Sequence, residues 1–147
     1  MKILVSACLL GENCKYSGGN NYNQAVCDFA RGHQVVPVCP EVLGGLPTPR
    51  CPAEIVQGVV TNKEGINVDR EFRAGAAKAL AIAKENRVEL AILQSRSPSC
   101  GVKEIYDGTF SGTKIPGQGV FAKMLMDEGV RVLDAGELRS EEHTSEL

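Results

Sequence analysis

The chain is poor in aromatic residues and carries no excess of positive charge. It has no tryptophan, and aromatic residues make up 5% of its 147 residues. Lys and Arg number 16 against 18 Asp and Glu, which gives a net charge of -2. Because nucleic-acid binders usually carry a basic patch, this balance disfavours a protein that works on DNA or RNA phosphates. No apolar run approaches the roughly 20 residues that cross a bilayer, so no membrane association is expected.

Length and cysteine usage narrow the class of protein further. At 147 residues the chain can bury a core without covalent staples, and no repeat or linker divides it, so we expect one domain over residues 1–138. Val5-Ser6-Ala7-Cys8 resembles the box before a lipid-modified cysteine, but too few residues precede it for a signal peptide. We therefore expect a cytoplasmic protein. In that compartment its 6 cysteines favour metal binding or catalysis over disulfides.

The last nine residues look foreign to the rest of the chain. Residues 139–147 match the in-frame translation of a common sequencing-library adapter, AGATCGGAAGAGCACACGTCTGAACTC. We interpret them as a non-native tail, the alternative being a native polar terminus, and we assign no function to His143. The segment holds 1 Arg and 3 Glu, so the chain without it has a net charge of 0 rather than -2.

Apolar residues alternate between strand-like and helix-like patterns along the chain. Buried strands are predicted by apolar runs at residues 3–7, 35–38, 88–93 and 131–133. Helices are predicted over residues 23–30, 69–86 and 120–127, with Asp69 capping the second. Because this alternation is typical of parallel βαβ units, the predicted fold class is α/β. We expect a compact Rossmann-like single domain with a mostly parallel sheet and helices on its faces.

Two local patterns give more detailed expectations. Asp107-Gly108 between strand-forming residues predicts a hairpin with a two-residue turn, either an ordinary surface hairpin or a lid on the site. Arg50 is expected to pair with Glu54 and order the proline-rich loop.

Three cysteines follow predicted strands, and this placement is the main clue to function. Cys8 and Cys39 come directly after apolar runs, and Cys100 follows a third run after a short turn. In an open α/β sheet, ligands bind outside the carboxyl ends of the strands, so these thiols are expected to converge. Three converging thiolates indicate a metal centre with a vacant coordination position.

Several motifs together resemble one known family, the thiouracil desulfidases, over residues 1–136. The matching blocks, in order, are Ser6-Ala7-Cys8-Leu9-Leu10-Gly11, Cys39-Pro40-Glu41, Gly44-Gly45-Leu46, Pro49-Arg50, Ser95-Arg96-Ser97-Pro98-Ser99-Cys100-Gly101 and Tyr106-Asp107-Gly108-Thr109-Phe110. The resemblance implies an α/β fold, a [4Fe-4S] cluster held by three cysteines, and hydrolytic removal of sulfur from a thiolated pyrimidine. The substrate implied is 2-thiouracil or a related base, and the product is hydrogen sulfide.

The same resemblance assigns roles to five residues. Cys8, Cys39 and Cys100 are the implied cluster ligands, which leaves one iron not bound by cysteine. Glu41 is the implied general base that activates water. Ser97 is implied to relay a proton to the ring nitrogen or to hold the tetrahedral intermediate.

Other interpretations of these residues stay open at this point. The three thiols are alternatively inert core residues, or zinc ligands completed by His33. The Glu41 carboxylate is alternatively a surface cap, and the Ser97 hydroxyl a turn residue. Cys14, Cys27 and Cys51 receive no role, with Cys14 expected to be a small packed or exposed thiol near the site.

The function has two open alternatives. One is desulfidation of thiouridine in nucleosides or tRNA, and the other is a non-enzymatic iron–sulfur storage or sensing module. The charge balance favours a small thiolated pyrimidine over tRNA, whose binding depends on neutralising phosphates. The sequence does not indicate an oligomeric state.

Overall fold

The computed structural model describes residues 1–138, and the adapter-like tail lies outside them. In chain order the elements are β1 (Lys2–Ser6), α1 (Gln24–Ala30), β2 (Gln34–Val38), α2 (Pro40–Leu43), β3 (Ala53–Val56), β4 (Val59–Asn62), α3 (Asp69–Asn86), β5 (Leu90–Leu93), β6 (Glu104–Tyr106), β7 (Lys114–Pro116), α4 (Val120–Asp127) and β8 (Arg131–Asp134). The central sheet has the order β2-β1-β5-β8, and all its pairs are parallel. The predicted α/β class with a parallel sheet is confirmed.

Helices cover both faces of this sheet, which explains the nearly unbroken apolar strands. Within β1, Leu4 belongs to the cluster that includes Phe72 of α3, whereas its neighbours Ile3 and Val5 belong to the cluster that includes Val26 of α1. Successive residues of a strand point to opposite faces, so one short strand contributes to both halves of the core. Within residues 1–138, none of the helices combines the length and apolarity needed to cross a bilayer.

The three predicted helices are present with nearly the predicted bounds, but Asp69 has a different role. Helix α3 begins at Asp69 and is preceded by Val68 as N-cap. The Asp69 carboxylate accepts hydrogen bonds from the Val60 amide at 3.0 Å and from Arg73 Nε at 2.7 Å. Burial opposes its ionisation, but these two donors outweigh burial and lower the pKa of Asp69. The residue therefore ties α3 to β4 rather than capping its own helix.

Two antiparallel hairpins lie outside the central sheet, and the sequence patterns missed one and misjudged the other. Strands β3 and β4 are joined by Gln57 and Gly58, both with positive φ, which suits a two-residue turn. By contrast, β6 and β7 are separated by residues 107–113, so the two-residue turn predicted at Asp107-Gly108 is wrong. The amides of Gly108 and Phe110 donate instead to Glu54 Oε1, at 2.9 and 3.1 Å, which opens the loop and docks it on β3.

A close crossing of α2 and α3 fixes the start of α2 beside the sheet. A Cβ added at Gly75 in α3 would overlap the Pro40 carbonyl oxygen, and one at Gly44 would overlap the Glu71 carbonyl oxygen. Only glycine allows backbones to approach this closely. The crossing matters because α2 begins directly after β2 and carries Glu41 in its first turn.

Candidate active site

The three cysteines predicted as ligands meet at the carboxyl end of the parallel sheet. Cys8 lies in a 3-10 helix, Ala7–Leu10, directly after β1, and Cys39 is the N-cap of α2 directly after β2. Cys100 lies in the turn that follows β5. All three line one pocket of about 470 Å³, together with Glu41 and Ser97. The structure thus brings together the five residues singled out from the sequence.

A cysteine with no role predicted from the sequence also lines the pocket. Cys14 lines the same pocket, whereas Cys27 and Cys51 do not. Its side chain is buried, and its backbone carbonyl oxygen accepts a hydrogen bond from Cys39 Sγ at 3.8 Å. Burial, followed by the neighbouring Cys39 and Cys8, raises the pKa of Cys14 to about 12. Its position six residues after Cys8, in the loop leaving the same strand, is the sequence signal that points to this site.

Burial dominates the electrostatics of the strand-end thiols. It raises the pKa of Cys8, against the opposing hydrogen bond from the Asn21 amide to Cys8 Sγ at 3.4 Å. Burial likewise raises the pKa of Cys100, with the Ser6 hydroxyl opposing and the Glu41 carboxylate adding to the effect. All six cysteines are free thiols. Burial therefore favours the protonated form of Cys8 and Cys100, and binding of a metal to these thiols would release protons.

Glu41 is held by two donors that the sequence did not predict. Arg50 Nε donates to Glu41 Oε1 at 3.1 Å, and the two side chains are only 6% and 16% exposed. Ser99 Oγ donates to Glu41 Oε2 at 3.2 Å. The expected pairing of Arg50 with Glu54 is wrong, because the Glu54 carboxylate is occupied by the 107–113 loop. Each oxygen of Glu41 thus has a fixed partner, which orients a carboxylate at the pocket wall.

The Ser97 hydroxyl has both a turn contact and a free hydrogen. Its oxygen accepts hydrogen bonds from the amides of Ser99 and Cys100, each at 3.0 Å. Two acceptor bonds use both lone pairs of a hydroxyl, so what it has left to offer the pocket is its proton. The turn role and the proposed contact with substrate are therefore compatible.

Comparison with known proteins agrees with this geometry. The sequence profile described as 2-thiouracil desulfurase matches residues 3–137. The chain belongs to the 2-thiouracil desulfurase family. The Bacillus subtilis protein YbbK, described as uncharacterized, is 42% identical over 146 residues, covering 92% of this chain and 97% of its own length. The solved structure of the [4Fe-4S]-dependent thiouracil desulfidase TudS matches with a TM-score of 0.85 and 38% identity, covering 99% of this chain and 94% of that chain. The family identified from the sequence motifs is confirmed.

The donor set of this family member suits an iron–sulfur cluster. Thiolates are the usual cluster ligands and select iron–sulfur centres over hard cations. Within residues 1–138, no three Cys, His, Asp or Glu side chains are grouped to hold a single metal ion. Ligands of a cluster bind different iron atoms, so they do not require that grouping. His33, considered above for zinc, stacks on Phe29 with ring centroids 5.1 Å apart and does not line the pocket.

The turn carrying Cys100 is locked to the start of α4. The amides of Gly119, Val120 and Phe121 donate to carbonyls of the 98–101 turn at 2.8–2.9 Å. A Cβ on Gly119 would lie 2.5 Å from the Ser99 carbonyl carbon. The first amides of this helix are therefore used to hold the turn and its cysteine.

Aromatic and basic side chains line the same pocket as the cysteines. Tyr16, Tyr106 and Phe110 supply flat faces for an aromatic ring. Lys63 and Arg96 also line the pocket, and neither side chain has a hydrogen bond or ion pair with another residue of the described part of the chain. The pocket thus combines thiols with aromatic side chains that can stack on a ring and basic side chains that can attract an anionic group.

Proposed function

We propose that this chain is a [4Fe-4S]-dependent desulfidase that hydrolyses the thiocarbonyl of 2-thiouracil or a related thiolated pyrimidine and releases hydrogen sulfide. The observation that carries the proposal is the meeting of three strand-end thiols with Glu41 and Ser97 in one pocket. Cys8, Cys39 and Cys100 would hold the cluster, which would leave one iron without a cysteine ligand. When bound, the cluster supplies a soft Lewis acid that polarises the carbon–sulfur bond.

The residues of the chain perform the hydrolysis around that polarised bond. Glu41, oriented by Arg50 and Ser99, takes a proton from water as it attacks the thiocarbonyl carbon. The Ser97 hydroxyl uses its remaining proton to protonate the ring nitrogen or to hold the tetrahedral intermediate by a hydrogen bond. Water supplies the oxygen of the new carbonyl, the sulfur leaves as sulfide, and no electrons are exchanged.

Replacing Glu41 by glutamine tests this role. Glu41→Gln keeps the shape of the side chain but removes the base, so we expect sulfide release to fall by about 10²-fold or more with the cluster retained. Iron content and the visible spectrum of anaerobically purified protein report the cluster, and far-UV circular dichroism reports the fold. Glu64→Gln, at an exposed position outside the pocket, is the matched control. Normal turnover by Glu41→Gln would refute the mechanism.

The basic side chains of the pocket favour a second candidate substrate, a thiouridine nucleotide. Lys15, Lys63 and Arg96 are placed to meet a phosphate attached to the thiolated base. Sulfide release should therefore be compared for 2-thiouracil, 4-thiouridine, its 5′-monophosphate and thiolated tRNA. A higher kcat/KM for the monophosphate than for the nucleoside would identify the nucleotide as the better substrate. Fastest reaction with tRNA would contradict the preference for a small substrate, and no sulfide from any compound would favour storage or sensing.

A further inference from the structure

The loop between β6 and β7 contains a residue with an unfavourable backbone conformation. Within residues 1–138, the non-glycine residues with positive φ are Gln57, Arg87, Arg96 and Phe110. Gln57 belongs to the tight turn between β3 and β4, and Arg87 is the C-cap of α3. The other two line the pocket of the candidate active site. A bulky side chain is sterically disfavoured in this region, so Phe110, with φ of 58°, needs outside contacts to stay there.

Glu54 supplies those contacts from β3. Its Oε1 accepts hydrogen bonds from the amides of Gly108 at 2.9 Å and Phe110 at 3.1 Å, and Glu54 itself lines the pocket. The backbone at Gly108 also lies against β3, since a Cβ there would be 2.7 Å from the Ile55 carbonyl oxygen. One carboxylate oxygen thus fixes the two residues that flank Thr109.

A chain of hydroxyl groups holds the loop on its exposed side. Thr109 Oγ1 donates to Asp107 Oδ1 at 2.6 Å, and contacts of 2.6 and 2.8 Å continue from Thr109 to Ser111 and on to Thr113. The hydrogen bonds from Thr109 lower the pKa of Asp107, and an ionised carboxylate only accepts, so each hydroxyl donates toward it. These four side chains bond to one another, whereas Phe110 lines the pocket. The loop is thus held as a wall of the pocket.

An aromatic side chain at this place suits the substrate of the proposed reaction. A pyrimidine has two flat faces, and proteins bind bases by stacking aromatic side chains on them. Unfavourable backbone conformations persist where the surrounding structure imposes them, and they concentrate at ligand sites. Among the aromatic residues of the pocket, Phe110 alone combines such a conformation with a carboxylate that maintains it.

We propose that Phe110 is a substrate-binding residue whose ring stacks on the thiolated pyrimidine, and that Glu54 is the positioning residue that holds Phe110 in place. The inference rests on the proposed function, because the stacked ring is that of the proposed substrate. Stacking binds substrate and transition state alike, so its loss should raise KM and leave kcat nearly unchanged. Loss of the Glu41 base, by contrast, should lower kcat.

Substitution of Phe110 tests the ring contact. Phe110→Ala removes the stack, so we expect KM for 2-thiouracil to rise by roughly 5- to 150-fold. The dissociation constant of 2-thiouracil, measured by equilibrium dialysis in cluster-loaded Glu41→Gln, should rise by the same factor when Phe110→Ala is added. Phe110→Tyr keeps the flat face and should behave as wild type. Phe29→Ala, at a half-buried aromatic residue outside the pocket, is the matched control. If circular dichroism shows a disturbed fold in Phe110→Ala, Phe110→Leu replaces it with the same direction of change expected.

Two substitutions of Glu54 separate its hydrogen bonds from its charge. Glu54→Gln removes the charge but keeps an oxygen that can accept from both amides, so KM should stay near the wild-type value. Glu54→Ala removes the acceptor and should raise KM toward that of Phe110→Ala. Combining Glu54→Ala with Phe110→Ala should raise KM little further, because the ring that Glu54 positions is already gone. Equal KM increases in Glu54→Gln and Glu54→Ala, or additive effects in the double variant, would overturn the positioning role.

The outcomes separate this inference from the proposed function. A KM and a dissociation constant unchanged by Phe110→Ala, in a protein whose wild type releases sulfide, would overturn the ring contact and leave the desulfidase function intact. A wild-type protein that releases no sulfide from any thiolated pyrimidine would overturn both.

Discussion

Adding one methyl group at the α2–α3 crossing should lower the rate of sulfide release by displacing α2, which carries Glu41. In Gly75→Ala, the new Cβ would overlap the Pro40 carbonyl oxygen and lie 2.8 Å from the Gly44 nitrogen, where ordinary contact begins at 3.4 Å. Backbone atoms cannot rotate away, so the four-residue α2 has to move. Overpacking costs about 1–3 kcal/mol and alanine recovers about 1 kcal/mol of helix propensity, which leaves a net loss of up to about 2 kcal/mol.

The functional loss in this variant should exceed what the stability loss explains. A net loss of that size lowers Tm by up to about 8 °C in a domain of this length, so the protein stays folded at 25 °C. Glu41 sits on α2 itself, and misplacing a reacting group by about 1 Å costs on the order of 10²-fold in rate. Thermal melts and sulfide release measure the two effects separately. Ala77→Ser, on the exposed face of α3, is the control, and a Gly75→Ala protein with wild-type Tm and turnover would refute the reasoning.

Two further predictions concern the charges that hold the structure together. Asp69→Asn should destabilise the protein by about 1–2 kcal/mol at pH 7, because the carboxylate bonds to the Val60 amide and Arg73 are weakened. Folding lowers the pKa of Asp69, so this stabilisation is present above the carboxyl's unfolded pKa and is lost as pH falls through the folded pKa. Urea melts should therefore show the stability difference between wild type and Asp69→Asn shrinking in acid, and a difference that does not change with pH would contradict the prediction. Arg50→Met should cost about 3 kcal/mol by leaving the Glu41 carboxylate buried without its partner. Combining Glu41→Gln with Arg50→Met should restore part of that loss, because the double variant no longer buries an unpaired charge. If urea melts showed that the two substitutions change the unfolding free energy additively, the result would argue against the ion pair.

The sequence predicted the elements whose signal is local. Helices α3 and α4 were predicted with their observed bounds, because apolar periodicity and flanking turns are properties of one continuous segment. The meeting of Cys8, Cys39 and Cys100 was also predictable, since parallel strands place their carboxyl ends at one edge. Their roles as ligands, and those of Glu41 and Ser97 in catalysis, stay predictions.

The partners of Glu41 were not predicted, because Ser99 lies far from it in sequence and because the choice of Arg50 between two nearby carboxylates depends on tertiary contacts. Arg50 was paired with the nearby Glu54, but Glu54 instead accepts amide hydrogen bonds from a loop more than 50 residues away. The same interaction explains why Asp107-Gly108 does not form the tight turn its composition favours. In both cases a tertiary contact outweighs a local preference.

The positions of the three strand-end cysteines do not depend on the segments that connect strands β1, β2 and β5. Cys8 and Cys39 directly follow β1 and β2, whereas Cys100 follows β5 after a turn that the start of α4 holds. The three strands are hydrogen-bonded neighbours. Connections between them can therefore gain or lose residues over evolution without changing the triangle of thiols. Variation in the surrounding loops is therefore free to alter which thiolated compound enters the pocket.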